Sequence, residues 1–197
     1  MTSTETTINP TSLTGTYTID AAHSQIGFVA RHAMVTKVRG SFNEFEGSGS
    51  FDAEDPTRSN LQLTIQAASI DTRNADRDQH LRSNDFFAMD EYPEIRFVST
   101  AVEPAGDDRY RVTGDLTLKG VTKPVTVDFE YTGAAVDPFG NQRIGFEGRA
   151  TVNRKDWGVT WNAPLETGGV LVGEKITLEF EVSAIQAADA ANTADAA

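Results

Sequence analysis

A strict alternation of apolar and polar side chains recurs along this chain and constrains its fold more than any other feature. Between residues 175 and 184, every second residue from Ile176 to Val182 is apolar, and the residues between them are polar or charged. Successive side chains on a β-strand point to opposite faces, so this period predicts a strand with one dry face and one wet face. The chain is therefore all-β, and a sheet that closed on itself would turn its dry face into an interior.

The alternation predicts about eight to ten strands, nearly all of them antiparallel. Residues 119–121, Lys119-Gly120-Val121, form the turn of a hairpin, and a short turn separates residues 37–43 from residues 46–52. The predicted strands are residues 16–20, 24–31, 37–43, 46–52, 61–67, 95–102, 110–118, 123–131, 144–153 and 175–185.

One interval, residues 71–92, lacks the two-residue period and is crowded with charged side chains. Asn74 or Thr72 is a suitable N-cap for a short helix, and Ser83 is suitable for capping a second turn through Phe86 and Phe87. The sequence therefore predicts one short helical insertion. In a barrel, we expect such an insertion to cover one open end.

The composition indicates a single acidic domain with an ordered core at residues 14–186. Its 197 residues include 17 Lys and Arg against 29 Asp and Glu, a net charge of −12, so nucleic acid and anionic membrane surfaces are poor partners for the chain as a whole. A local basic patch remains compatible with that total. Residues 1–13 and 187–197 are biased in composition, and we expect both to be disordered tails.

The chain has no cysteine, which excludes disulfides, thiolate metal sites and cysteine nucleophiles. No stretch has the length and apolar character of a membrane-spanning helix, and the first residues do not resemble a secretory signal. We therefore expect a soluble, cytoplasmic protein with no integral membrane segment.

Motifs for chemistry are missing from the sequence. The histidines His23, His32 and His80 show no metal-ligand spacing, and Asp71, Asp76 and Asp78 do not match a calcium loop. The glycines at 47, 49, 168 and 169 lack the context of a nucleotide-binding loop and are interpreted as turn or bulge glycines. We therefore predict no catalytic residues, no metal site and no enzyme.

Large aromatic residues fall on the dry side of the predicted strands. Their positions suit either the packed core of a sandwich or the lumen of a barrel that holds a small ligand, and periodicity does not choose between the two. These residues are Phe28, Phe42, Phe97, Phe129, Phe146 and Phe180.

Seven segments, in order along most of the chain, resemble the YceI family of polyisoprenoid-binding, lipocalin-like proteins. They are residues 17–28 (YTIDAAHSQIGF), 38–42 (VRGSF), 70–74 (IDTRN), 77–83 (RDQHLRS), 92–97 (YPEIRF), 114–125 (GDLTLKGVTKPV) and 153–158 (NRKDWG). The resemblance implies an elongated antiparallel β-barrel of about eight strands with a short helical insertion. Many family members are exported, whereas this chain has no recognisable signal.

The resemblance also implies a ligand, a long isoprenoid lipid such as an isoprenoid quinone or a polyprenyl compound, with no further cofactor. Burying such a chain contributes about 0.8 kcal/mol per methylene, so affinity should come from the lumen and specificity from the rim. His32 shares the parity of Phe28 and is a candidate for contact with the ligand's head group, although a hydrogen-bonded structural histidine explains it slightly better. The candidate ligand-binding residues are Ile26, Phe28, His32, Phe42, Phe97, Leu116, Phe129, Phe146 and Phe180.

Two other functions stay open from the sequence. An enzyme would use His32 or Asp78 as an acid or base on a bound apolar substrate. A structural or interaction protein would have a filled lumen and use its outer surface, for example in a homodimer.

Overall fold

Antiparallel strands account for most of residues 10–188, the part of the chain that the computed structural model describes. Within it, one α-helix, α1, spans Ala75–Arg82, and short 3-10 turns include Ala21–His23 and Arg154–Trp157. The strands are β1 (Gly15–Ile19), β2 (Gln25–His32), β3 (Thr36–Phe42), β4 (Phe45–Phe51), β5 (Asn60–Gln66), β6 (Ile70–Asp71), β7 (Glu94–Pro104), β8 (Arg109–Leu118), β9 (Val121–Val136), β10 (Gln142–Asn153) and β11 (Lys175–Gln186).

Eight of the strands close into a barrel. The ring runs β1, β4, β5, β7, β8, β9, β10 and β11, and β11 then pairs with β1, with Ala184 opposite Ile19. Every pairing between neighbours is antiparallel. The predicted all-β, lipocalin-like barrel of about eight strands with a short helical insertion is confirmed.

Two pairs of consecutive strands, β1 with β2 and β3 with β4, each act as one long strand interrupted by a bend. Both β1 and β2 lie along β11, with Ile19 opposite Ala184 and Ile26 opposite Phe180. In the same way β3 pairs with β2 while β4 pairs with β1. The predicted turn between residues 37–43 and 46–52 is therefore a bend, after which the chain continues in the same direction.

Other strand predictions need smaller corrections. β9 runs to Val136, well past the predicted end at residue 131, and the short β6 was not predicted. The β8–β9 turn has Lys119 and Gly120 at φ 51° and 73°, the left-handed conformation that favours such a tight hairpin. Gly47 and Gly49 lie inside β4 rather than in a turn or bulge, and a Cβ at Gly47 would approach Ile19 Cδ1 to 2.5 Å.

The helical insertion is shorter than predicted. Asn74 is the N-cap of α1, and its side chain accepts a hydrogen bond from the Arg77 amide at 2.9 Å. Thr72 has a different role, because its amide donates to Asp78 at 2.9 Å. Ser83 ends α1 and opens the predicted second turn, because its hydroxyl accepts from the Asp85 amide at 3.3 Å and its carbonyl accepts from the Phe86 amide at 3.1 Å.

The predicted tails, residues 1–13 and 187–197, lie mostly outside the described residues. Within the described part, Pro10–Leu13 form a 3-10 turn, and the buried Leu13 accepts a hydrogen bond from the Tyr17 hydroxyl at 2.7 Å. Leu13 thus packs on the barrel.

Candidate functional site

The barrel encloses a cavity of about 290 Å³, close to the lower end of the range for small-molecule pockets. Its walls are the inward faces of the ring strands and of β2 and β3, with part of the helical insertion, and the side chains that line it are almost all aliphatic or aromatic. The polar exceptions on β4 and at the start of β5 are Ser48, Ser50, Ser59 and Asn60.

Eight of the nine predicted site residues line this cavity: Ile26, Phe28, Phe42, Phe97, Leu116, Phe129, Phe146 and Phe180. Their contact with a ligand stays a prediction. His32 lies elsewhere: it is exposed at the last position of β2, opposite Thr36, and it forms a bridge to Val172. It does not line the cavity, so the geometry does not support its proposed contact with a head group there.

Phenylalanine rings lie flat against the wall because glycines face them on the neighbouring strands. Phe129 is directly opposite Gly148, and a Cβ added to Gly148 would collide with the Phe129 ring. Phe28 and Gly40 form the same arrangement between β2 and β3. Each glycine removes the Cβ that would push the ring away from the wall, so the pairs help to keep the lumen open.

One half of the lumen contains a connected cluster of rings around Phe146. Its centroid lies 5.6 Å from that of Tyr131, 5.8 Å from that of Phe51 and 6.4 Å from that of Phe129. Such offset and edge-to-face contacts each contribute about 0.5–1.5 kcal/mol beyond the area buried. Nearby, burial raises the pKa of the Tyr17 hydroxyl to about 12, so the phenol stays a neutral donor to Leu13.

The opposite end of the barrel is covered by α1 and the turns that follow it. Phe87 packs edge-on against Phe42 at 6.1 Å. Phe86 packs against Trp161 from the loop that follows β10, at 5.3 Å, and His80 stacks edge-on against the same indole at 4.6 Å. The insertion therefore covers one mouth, as its position in the sequence predicted.

Buried hydrogen bonds fasten this cover to the barrel. Asp78, with 7% of its surface exposed, accepts from both the amide and the hydroxyl of Thr72, at 2.9 and 2.5 Å. Arg77 donates to the Thr72 carbonyl at 2.7 Å, and Arg82 donates to the Ala68 and Ile70 carbonyls. Asp78 is occupied by these bonds and does not line the cavity.

Arg154 is the one charged residue among the described residues that line the cavity. It belongs to the segment NRKDWG and was not predicted as a site residue. It is 5% exposed and donates to the backbone carbonyls of Gly173, Val159, Trp161 and Val172. Burial lowers the pKa of its guanidinium, and the negative charge of Glu174 partly offsets this effect. Arg154 therefore fixes the loop beside the cavity.

The described residues contain no group of three or more histidine, cysteine, aspartate or glutamate side chains placed to hold a metal ion. None of the helices in residues 10–188 has the length and apolar character needed to cross a membrane.

These features define a class: closed antiparallel β-barrels with an apolar interior and a short helix over one end. Within that class the chain belongs to the family of YceI-like domains, whose model matches residues 17–184. A UPF0312 protein of Staphylococcus aureus (strain MSSA476) is 41% identical over 169 residues, which are 85% of this chain and 95% of that protein. The resemblance seen in the seven segments is thereby confirmed.

Solved structures have the same fold. BcnA of Burkholderia cenocepacia superposes with a TM-score of 0.74 at 27% identity, covering 84% of this chain and 98% of BcnA. A polyisoprenoid binding domain from Saccharophagus degradans superposes with a TM-score of 0.65 at 16% identity, covering 87% of this chain and 98% of that domain. The second likeness concerns the fold alone.

Proposed function

We propose that this protein binds a long apolar isoprenoid lipid, an isoprenoid quinone or a polyprenyl compound, in the barrel lumen for storage or transport. The observation that carries the proposal is the apolar cavity inside the barrel, lined by Phe28, Phe97 and Phe129. A ligand with few polar groups suits such a wall, because each buried methylene contributes about 0.8 kcal/mol without needing a hydrogen bond.

The comparisons support an apolar lipid of this class. The chain belongs to the YceI-like family, and the barrel from Saccharophagus degradans is described as a polyisoprenoid binding domain. A head group at the edge of the cavity would meet Arg154, whose guanidinium already holds four backbone carbonyls. An oxygen acceptor such as a quinone carbonyl or a polyprenyl phosphate suits that position.

The alternative functions have less support. An enzyme needs an acid or base at the substrate, yet Asp78 is bonded to Thr72 and His32 lies outside the cavity. A structural barrel would have a lumen filled by side chains, whereas this one leaves about 290 Å³.

Native extraction tests the proposal directly. The purified protein is extracted with organic solvent, and the extract is weighed by mass spectrometry. The stripped protein is then titrated with an isoprenoid quinone and with a polyprenol of equal chain length. We expect about one ligand per chain, since an eight-stranded barrel has room for one small ligand. An empty extract together with no saturable binding of either probe would contradict the proposal.

A further inference from the structure

One hairpin departs from the acidic character of the chain. Residues 21–43 contain no aspartate or glutamate, although the whole chain has 29 of them. The β2–β3 hairpin falls in this stretch, and around its tip it carries Arg31, His32, Lys37 and Arg39. Across the sheet, Arg39 pairs with Glu179 at 3.6 Å, and Glu179 also pairs with Arg149.

The tip of this hairpin presents apolar side chains to water. Met34 is 58% exposed and Val35 is 73% exposed. Ala33 and Met34 both have positive φ, 49° and 61°, a conformation that is unfavourable for residues other than glycine. Ala33 and Met34 are the two central residues of a tight hairpin turn, and this turn geometry requires positive φ at both positions.

The tip is held in place rather than loosely attached. The Ala33 amide donates to the Leu171 carbonyl at 2.7 Å, and the Val35 amide donates to the His32 carbonyl at 3.0 Å. Arg31 donates to the Val35 carbonyl at 3.3 Å. The exposed apolar pair is therefore a fixed feature of the surface.

The tip also lies next to the lumen. Ala30, near the end of β2, lines the cavity, as does Val172, which bridges to His32. The loop beside the tip carries Gly169, where an added Cβ would lie 3.6 Å from Met34 Cγ. Two acidic residues flank this contact: Glu166 lies three residues before Gly169, and Glu174 follows Gly173, whose amide donates to the Arg31 carbonyl at 2.8 Å.

We propose that the β2–β3 tip, residues 31–37, docks the barrel onto an anionic lipid membrane surface. This inference rests on the proposed function, since an isoprenoid ligand is taken from or given to a bilayer. Met34 and Val35 enter the interface between head groups and acyl chains, while Arg31 and Lys37 meet the lipid phosphates. The net charge of −12 repels the rest of the molecule from the same surface, so docking fixes which end faces the membrane.

A second exposed apolar tip provides the control. Phe139, between β9 and β10, is 89% exposed. Its neighbour is an acidic residue, Asp137, whose carboxylate accepts a hydrogen bond from the Phe139 amide at 2.9 Å. This tip therefore shares the apolar exposure of the first one and lacks its cluster of cations.

Vesicle flotation with the full chain tests the proposal. The vesicles contain either phosphatidylcholine alone or phosphatidylcholine with phosphatidylglycerol. We expect binding to the mixed vesicles that weakens with added salt. The pair Met34→Ser with Val35→Ser and the pair Arg31→Gln with Lys37→Gln should each lower the bound fraction about tenfold. Phe139→Ser should bind as the parent does.

Equal binding by the parent and both tip variants would overturn the proposal. So would a parent protein that fails to bind the vesicles containing phosphatidylglycerol. Titration with a detergent-solubilised isoprenoid quinone separates the two functions, because neither tip pair lines the cavity. Normal quinone binding without vesicle binding overturns the docking proposal alone. Vesicle binding that depends on the tip, without saturable binding of the quinone or of the polyprenol, supports docking and contradicts the proposed function.

Discussion

At the scale of single residues, the shape of the lumen depends on glycines that leave room for aromatic rings. Gly148 faces the Phe129 ring so closely that any Cβ must displace it. We predict that Gly148→Val pushes this ring into the cavity, lowers the free energy of unfolding by about 1–3 kcal/mol, and reduces isoprenoid binding. Denaturant unfolding and ligand titration measure both effects. Thr151→Val, at an exposed position of the same strand, controls for the valine itself.

The apolar wall itself gives a second prediction. Phe28→Asp places a carboxylate in the lumen, where it must lose its hydration or take up a proton. We expect isoprenoid affinity to fall by at least about tenfold. Phe146→Asp should do the same but lose more stability, because Phe146 also contacts Phe51 and Tyr131.

Val98→Asp is the matched control for these two changes, since Val98 is 51% exposed on the outer face of β7. Circular dichroism must first show that each variant is folded. Unchanged affinity in a folded Phe28→Asp protein would mean that the ligand does not lie against this wall.

These residues also show where sequence reasoning stops. The two-residue period gives the face on which a side chain lies, which is why eight candidates line the cavity. It does not give the height along the barrel, so His32 shares the parity of Phe28 and still lies beyond the cavity. Arg154 carried no periodic signal, because its burial depends on carbonyls brought together by the loop after β10.

At the scale of elements, α1 is held by its contacts and not by its own apolar face. The helix is short and strongly polar, and isolated helices of this length are marginal in water. Its one buried residue is Asp78, which accepts hydrogen bonds from the amide and the hydroxyl of Thr72. The cover over the lumen therefore depends on that carboxylate.

We predict that Asp78→Ala loosens the cover. Loss of the carboxylate leaves the buried Thr72 amide without its partner, which costs about 1–3 kcal/mol. Hydrogen exchange should become faster from α1 to residue 92, while the strands around Phe146 keep their protection. Asp76→Ala, on the exposed side of the same helix, should have little effect. Equal exchange in the two variants would show that Asp78 does not hold the insertion.

Strands were predicted well where alternation was uninterrupted and less well where a bulge or a bend interrupts the pairing. At Thr100 an extra residue interrupts the pairing of β7 with β8, so Phe97 and Val102 both face inward despite their opposite parity. The bend between β3 and β4 marks the point where the chain stops pairing with β2 and begins to pair with β1. Both depend on which strands meet in the closed barrel, and a single sequence does not contain that information.

At the scale of the whole molecule, a cluster of charges ties the barrel together where β1, β10 and β11 meet. Arg143 on β10 donates to Asp20, in the link between β1 and β2, at 2.7 Å, and to Asp137 at 2.8 Å. The Asp20 amide also donates to Ser183 on β11 at 2.8 Å. The cluster joins parts of the chain that are far apart in sequence, so breaking it acts on closure of the whole barrel.

Acid should weaken this junction in a defined pH window. The hydrogen bond from Arg143 lowers the pKa of Asp20 from 3.8, and bonds from Asn141, followed by Arg143, lower the pKa of Asp137. A carboxyl with a lowered pKa in the folded state stabilises the fold above its unfolded pKa, and that contribution is lost as the pH falls through the folded value. Arg143→Gln should therefore be less stable than the parent at about pH 7, and the difference should shrink below about pH 4.

Urea unfolding of both proteins across this pH range measures the difference in stability. Arg149→Gln, which breaks an exposed pair with Glu179, is the control. A difference that stayed constant down to about pH 2 would show that Arg143 stabilises the barrel through packing and not through these carboxylates.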